Sequence, residues 1–237
     1  MKIKELIVLT SVIALMLGSC TESSIKNSKI VTENDTLSYA IGATFYNQLI
    51  RDSIILNPLI VAKALMDAKQ GKLLMSDIEY QGFLTRFSTK MQQAQMAKQA
   101  EINKVTYKDL IAANEAFLVK NKENPKVIVT SSGLQYEVIK MGKGPKPTAE
   151  STVKVHYVGT LIDGTEFDSS IKRNEAAQFP VTGVIPGWTE ALLLMPVGSK
   201  FKLCIPQSIA YGATGAGEAI KPYSTLIFEV ELLEIVK

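Results

Sequence analysis

The sequence predicts an α+β protein: an all-α N-terminal module with a long stalk helix, followed by a mainly antiparallel sheet that carries one short helix. Two observations predict it. Apolar residues recur at helical spacing from Leu37 to Phe117, with no proline between Ser76 and Asn121. Past Pro125 they give way to β-rich runs separated by Gly and Pro turns. At 237 residues, 46% hydrophobic and 21% charged, the chain has enough apolar material for one core and a second, smaller unit. Its 26 basic and 23 acidic residues are interspersed along the chain, which argues against a nucleic-acid partner.

The N-terminus begins Met1, Lys2, Ile3, Lys4, continues with an apolar run from Leu6 to Leu17, and ends Gly18, Ser19, Cys20. Residues 1–19 read as an export signal whose apolar core falls short of the roughly 20 residues that span a membrane. The ending L-G-S-C resembles a lipobox. That resemblance implies cleavage before Cys20 and a lipid on its thiol as the membrane anchor, where the other reading is an ordinary secretory signal. With Cys20 acylated, Cys204 is the one remaining thiol and no intramolecular disulfide is expected. Cys204 lies on the strand face opposite Phe201, Leu203 and Ile205, a structural position.

Residues 20–34 are mostly Ser, Asn, Lys, Thr and Glu and read as a flexible tether. Residues 35–121 form the helical module. Asp35 and Thr36 are candidate caps for a first helix containing Leu37, Ala40, Ile41, Phe45 and Leu49. Asn57 and Pro58 open a second, which Gly71 ends. Ser76 and Glu79 have capping-box spacing and open a third that runs as far as Asn121. About 45 residues of helix would measure near 65 Å at about 1.5 Å per residue, with a polar middle from Gln92 to Lys104, so this element reads as a stalk.

The charged stretch K-N-K-E-N-P-K marks the change to residues 122–237. Val127–Val129, Leu134–Ile139, Thr152–Leu161, Lys200–Ile205 and Thr225–Ile235 are the strand candidates, and Gly187–Leu194 the helix candidate.

The single histidine, His156, removes triads, Cys-His dyads and multi-histidine metal sites from consideration, so neither a metal nor a cofactor is expected. G-A-T-G-A-G at 212–217 precedes a strand and not a helix, so it lacks phosphate-binding geometry. What remains is a set of aromatics beside turns: Tyr157, Phe167, Trp188, Tyr211 and Phe228. Their contexts are V-H-Y-V-G-T-L (155–161), G-T-E-F-D-S-S (164–170), V-I-P-G-W (184–188), A-Y-G-A-T-G (210–215) and T-L-I-F-E-V-E-L-L (225–233). In order and spacing these resemble the FKBP family of prolyl cis/trans isomerases across the whole second half.

The resemblance implies a twisted antiparallel sheet wrapped around the short helix, with the substrate pocket between them. It makes Trp188 the floor and Tyr157, Phe167, Val184, Ile185 and Phe228 the walls. Tyr211 and Ile220 come from the loop over the mouth, Asp168 is the acidic pocket residue, and Arg173 is its partner. Gly183, Ala177, Ala216 and Ala219 are smaller than usual for the family, which trims the rim while leaving the floor that isomerisation needs. The resemblance also admits a macrolide as a ligand of the same pocket.

L-S-Y-A-I-G at 37–42, two short helices and a long one resemble the N-terminal module of exported Mip- and FkpA-type isomerases, which implies a homodimer through residues 35–121. The function implied is assisting the folding of exported, proline-containing polypeptides. The envelope location it implies is the periplasmic face of the outer membrane, with the cell surface as the alternative. The competing reading is a mainly non-catalytic holding chaperone for unfolded chains.

Overall fold

A computed structural model describes residues 27–236, so the signal peptide and Cys20 lie outside the described residues. Packing divides the described residues into two compact units, one ending at Thr85 and the other beginning at Arg86.

In the first unit, helix α1 spans Glu33–Arg51 and α2 spans Pro58–Lys69. The cap of α1 is Thr32, not Asp35 or Thr36. The Thr32 side chain accepts from the Asp35 N–H at 3.1 Å, and the Asp35 carboxylate accepts from the Thr32 N–H at 2.9 Å. Asp35 is thus the third-position acid of a capping box, which places the helix start three residues earlier than its apolar pattern suggests. Asn57 caps α2 through the Leu59 N–H, with Pro58 at the first helical position.

Helix α3, Asp77–Thr106, starts at the Ser76–Glu79 capping box. The single stalk helix expected from the sequence is interrupted at Tyr107 (φ −105°, ψ 23°), after which α4 runs over Lys108–Asn121. Helical hydrogen bonds persist on both sides of the break, from the Tyr107 N–H to Asn103 and from the Ile111 N–H to Tyr107. No residue of α1, α2 or α3 is buried.

The second unit holds a seven-stranded antiparallel sheet: β1 Val127–Val129, β2 Gln135–Lys140, β3 Thr152–Thr160, β4 Glu166–Ser169, β5 Ala177–Pro180, β6 Lys200–Ile205 and β7 Leu226–Val236. The order is β1-β2-β6-β7-β3-β4, and β5 pairs with the first half of β3 while β4 pairs with its end. The two strands absent from the sequence reading, β4 and β5, are four residues each and take their order from β3.

Period-two alternation sends Val153, Val155 and Tyr157 of β3, Phe201, Leu203 and Ile205 of β6, and Phe228, Val230 and Leu232 of β7 into one core. Helix α5, Pro186–Leu194, supplies Trp188, Ala191 and Leu192 to the same core. Strand β6 is also covered at its end, where Cys204 is buried. Beside it, Gln135 faces Cys204 across the ladder and is held by α4: Asn121 donates to Gln135 Oε1 at 2.8 Å, and Gln135 Nε2 donates to the Leu118 carbonyl at 3.0 Å. Burial pushes the Cys204 thiol up to about 11.

Candidate functional site

The pocket sits where β3, β4 and β7 meet the N-terminal end of α5. Pro186 at the first helical position starts α5 without wasting an N–H, and the same first turn places Trp188 inward, 5% exposed. Trp188 is the hub of a set of edge-to-face rings. It meets Tyr157 at 5.3 Å and 88°, Phe228 at 5.1 Å and 89°, and Phe179 at 5.9 Å and 80°. Phe167 continues the wall, 5.5 Å from Phe228 at 88°. Each ring presents its edge to a neighbouring face, the geometry that its quadrupole favours.

These rings bound a cavity of about 720 Å³. All but one of the site residues anticipated from the sequence line it: Tyr157, Phe167, Asp168 and Phe228 from the sheet, Val184, Ile185 and Trp188 around the start of α5, and Tyr211 and Ile220 from the mouth segment. Arg173 does not line the cavity but reaches its polar edge. There Tyr157 donates its hydroxyl to Asp168 Oδ2, Arg173 pairs with Asp168 Oδ1, and a second guanidinium nitrogen donates to the Tyr157 oxygen at 3.0 Å. The Arg173 guanidinium also lies 5.7 Å from the Tyr157 ring centre.

The electrostatics follow from these contacts. Burial pulls the Asp168 carboxyl upward, but the Tyr157 hydroxyl and the Arg173 guanidinium outweigh it and hold the group below the ordinary carboxylate value. Burial, then the hydrogen bond to Asp168, raises the Tyr157 phenol above its ordinary value, so it stays protonated at neutral pH. The hydrogen bond to Asp168 likewise raises Arg173. His156 stands apart from this cluster, with Nδ1 3.1 Å from the Ser170 hydroxyl. Among the described residues no group of acidic, histidine and cysteine side chains has a metal-binding arrangement.

Phe179 and Gly159 are among the contributors that escaped the sequence reading, as are Gly217 and Glu218 of the mouth. Phe179 lines the cavity from β5, where Ala177 and Phe179 alternate with an exposed Gln178. That alternation is its one signal, and it is only three residues long. Gly159 brings β3 so close to the wall that a β-carbon there would lie 2.7 Å from the Phe167 ring and 2.8 Å from that of Phe228. Of the four smaller residues noted from the sequence, Gly183, Ala216 and Ala219 line the cavity, whereas Ala177 does not and packs against the core from β5.

Two family models match the chain. FKBP-type peptidyl-prolyl cis-trans isomerase covers residues 143–233, and the domain amino terminal to FKBP-type peptidyl-prolyl isomerase covers residues 34–138. Similar proteins include the outer membrane protein MIP of Legionella longbeachae, 41% identical over 89% of this chain and 89% of that one. The peptidyl-prolyl cis-trans isomerase Mip of Coxiella burnetii is 36% identical over 99% of each chain. The crystal structure of FkpA from Escherichia coli is 37% identical in sequence and superposes with a TM-score of 0.52 over 87% of this chain and 98% of that one. The chain therefore belongs to the FKBP-type peptidyl-prolyl cis-trans isomerases, of the Mip and FkpA kind.

Proposed function

We propose that this isomerase rotates X-Pro bonds of exported polypeptides inside the aromatic cavity, and the observation that carries the reading is the ring cluster centred on Trp188. Rotation makes and breaks no covalent bond, yet it faces a barrier of roughly 18–20 kcal/mol because the C–N bond has partial double-bond character. Twisting removes amide resonance and leaves the carbonyl less charge-separated than in the planar ground state. A water-excluding apolar wall then favours the twisted state over the planar one, which is the differential binding that lowers the barrier.

Asp168 has one oxygen engaged by Tyr157 and the other by Arg173, so its role is to hold the polar edge in place and not to transfer a proton. Tyr211, 40% exposed at the mouth, is the residue placed to donate to a substrate carbonyl and fix the direction of the chain. The same cavity is where a macrolide would bind, over a rim trimmed at Gly183, Ala216 and Ala219.

A second reading, a holding chaperone, is favoured by the helical module. Leu37, Ile41, Phe45 and Leu65 of α1 and α2 are all exposed, and none of these helices has a buried residue. The same apolar surface supports a homodimer through residues 35–121, because three helices with no buried side chain do not make a monomeric core. Holding and isomerisation coexist in that arrangement.

The enzyme acts in the cell envelope, in keeping with the Legionella relative named as an outer membrane protein. A lipid on Cys20 attaches it there, on the periplasmic face of the outer membrane.

The test is isomerisation of a short X-Pro peptide. Asp168→Ala and Tyr211→Phe are expected to lower turnover with modest change in stability, and Trp188→Ala to lower both, by roughly 3–5 kcal/mol in stability. Wild-type turnover in all three would remove the pocket assignment.

A further inference from the structure

The segment from Tyr211 to Thr225 forms one side of the pocket mouth, presenting Tyr211, Ala216 and Ile220 to the cavity. Its backbone is hard to hold. Gly215 has φ 70°, and a β-carbon there would lie 2.3 Å from the Ile220 carbonyl oxygen. Tyr223 has φ 64°, a left-handed conformation that a bulky side chain rarely adopts. Within the segment, Ala216 and Ile220 exchange a pair of hydrogen bonds, and the Tyr223 N–H donates to Gly212.

The Tyr211 carbonyl also accepts from the Thr214 and Gly215 N–H groups, and further support comes from the helices behind the segment. Asn103 of α3 donates from Nδ2 to the Ala213 carbonyl at 2.8 Å, and Gln99 one turn earlier donates to Asn103 Oδ1 at 2.9 Å, which fixes the amide's orientation. Tyr223 donates its hydroxyl to the Ala100 carbonyl at 2.9 Å. At the end of the segment, Asn114 of α4 accepts from the buried Thr225 N–H at 2.7 Å. Three hydrogen bonds along two helices therefore tie the mouth segment to the elements behind it.

We propose that Asn103 and Tyr223 are positioning residues of the prolyl site: through them the end of α3 holds Tyr211 and Ile220 over the cavity, and the helix becomes a working part of the isomerase. This rests on the reading of the cavity as the prolyl pocket. A mouth segment without these ties spends part of its time away from the cavity, and apparent affinity falls by the fraction of time the binding-competent form is absent. The loss belongs in KM, since once substrate is seated the rings around Trp188 are unchanged.

The experiment uses the full mature chain with Asn103→Ala and Tyr223→Phe, X-Pro peptide kinetics, and amide hydrogen exchange. Each variant is expected to raise KM roughly three- to tenfold, the equivalent of one neutral hydrogen bond, with kcat within about twofold of wild type. Exchange should quicken from Gly212 to Ile220 while Val153–Tyr157 and Phe228–Leu232 keep their protection. Trp188→Ala, Asp168→Ala and Tyr211→Phe form the separate arm. Wild-type turnover in all three overturns the pocket reading and this one with it. Lowered turnover in any of them, combined with wild-type KM or unchanged mouth exchange in both Asn103→Ala and Tyr223→Phe, overturns this proposal alone.

Discussion

At Gly159 the pocket depends on a missing side chain. The rings of Phe167 and Phe228 meet edge to face directly over the β3 backbone, and a methyl group at Gly159 would enter both. Gly159→Ala is expected to cost about 1–3 kcal/mol of stability through overpacking, and to lower turnover in greater proportion because the displaced atoms are the cavity wall itself. Thermal denaturation beside peptide kinetics reads both effects, and a variant that is destabilised yet fully active would show that the wall tolerates displacement. Asp168 yields a pH profile by a similar argument. Its folded-state pKa is depressed, so the stabilisation from Tyr157 and Arg173 is fully present above the unfolded value of about 3.9 and is lost as pH falls through the folded one. Turnover should therefore be flat from neutral pH down to about 5 and decline only below about 4. A midpoint near neutrality would mean that another group controls the site.

At the scale of elements, Cys204 shows what α4 does for the sheet. Its thiol is buried and raised to about 11, and the neighbouring Gln135 side chain is held by Leu118 and Asn121 of α4. The intact protein should react slowly with a thiol reagent at pH 8, and a chain beginning at residue 122 should react many times faster because the helix that bonds to this part of the sheet is gone. Equal rates in the two forms would show that α4 does not shield this face. The sequence carries this unevenly. Period-two alternation marks β3, β6 and β7, and capping pairs mark the starts of α2 and α3, because those signals are local. Strands β4 and β5 are too short for any periodicity and exist through pairing with β3. The docking of α4 runs through Asn114, Asn121 and Gln135, amides that read as surface residues until their partners are known. The pocket was legible for a different reason: its residues lie in motifs of fixed order, whereas Phe179 lies outside them, and Gly159, although inside V-H-Y-V-G-T-L, matters through close approach in space.

At the scale of the whole molecule, composition and packing mark different places. The charged break near residue 121 is where helix gives way to strand, while the compact units divide between Thr85 and Arg86. Helix α4 and the end of α3 thereby fall with the isomerase, and the apolar surface of α1 and α2 falls outside it. Leu37 is 57% exposed and Phe45 48%, surface that a second copy would cover. Light scattering of a soluble chain from Thr21 to Lys237 should give about twice the chain mass, and residues 86–237 should give a single chain mass. The shorter form should isomerise a short peptide as well as the longer one, since it keeps the cavity and the ties to its mouth. On an unfolded protein whose refolding waits on proline it should be slower, because a dimer presents a second pocket at high effective concentration to a chain already held by the first. A monomeric Thr21 to Lys237 form at micromolar concentration would remove the dimer and this advantage together, leaving the apolar face of α1 and α2 to the client chain alone.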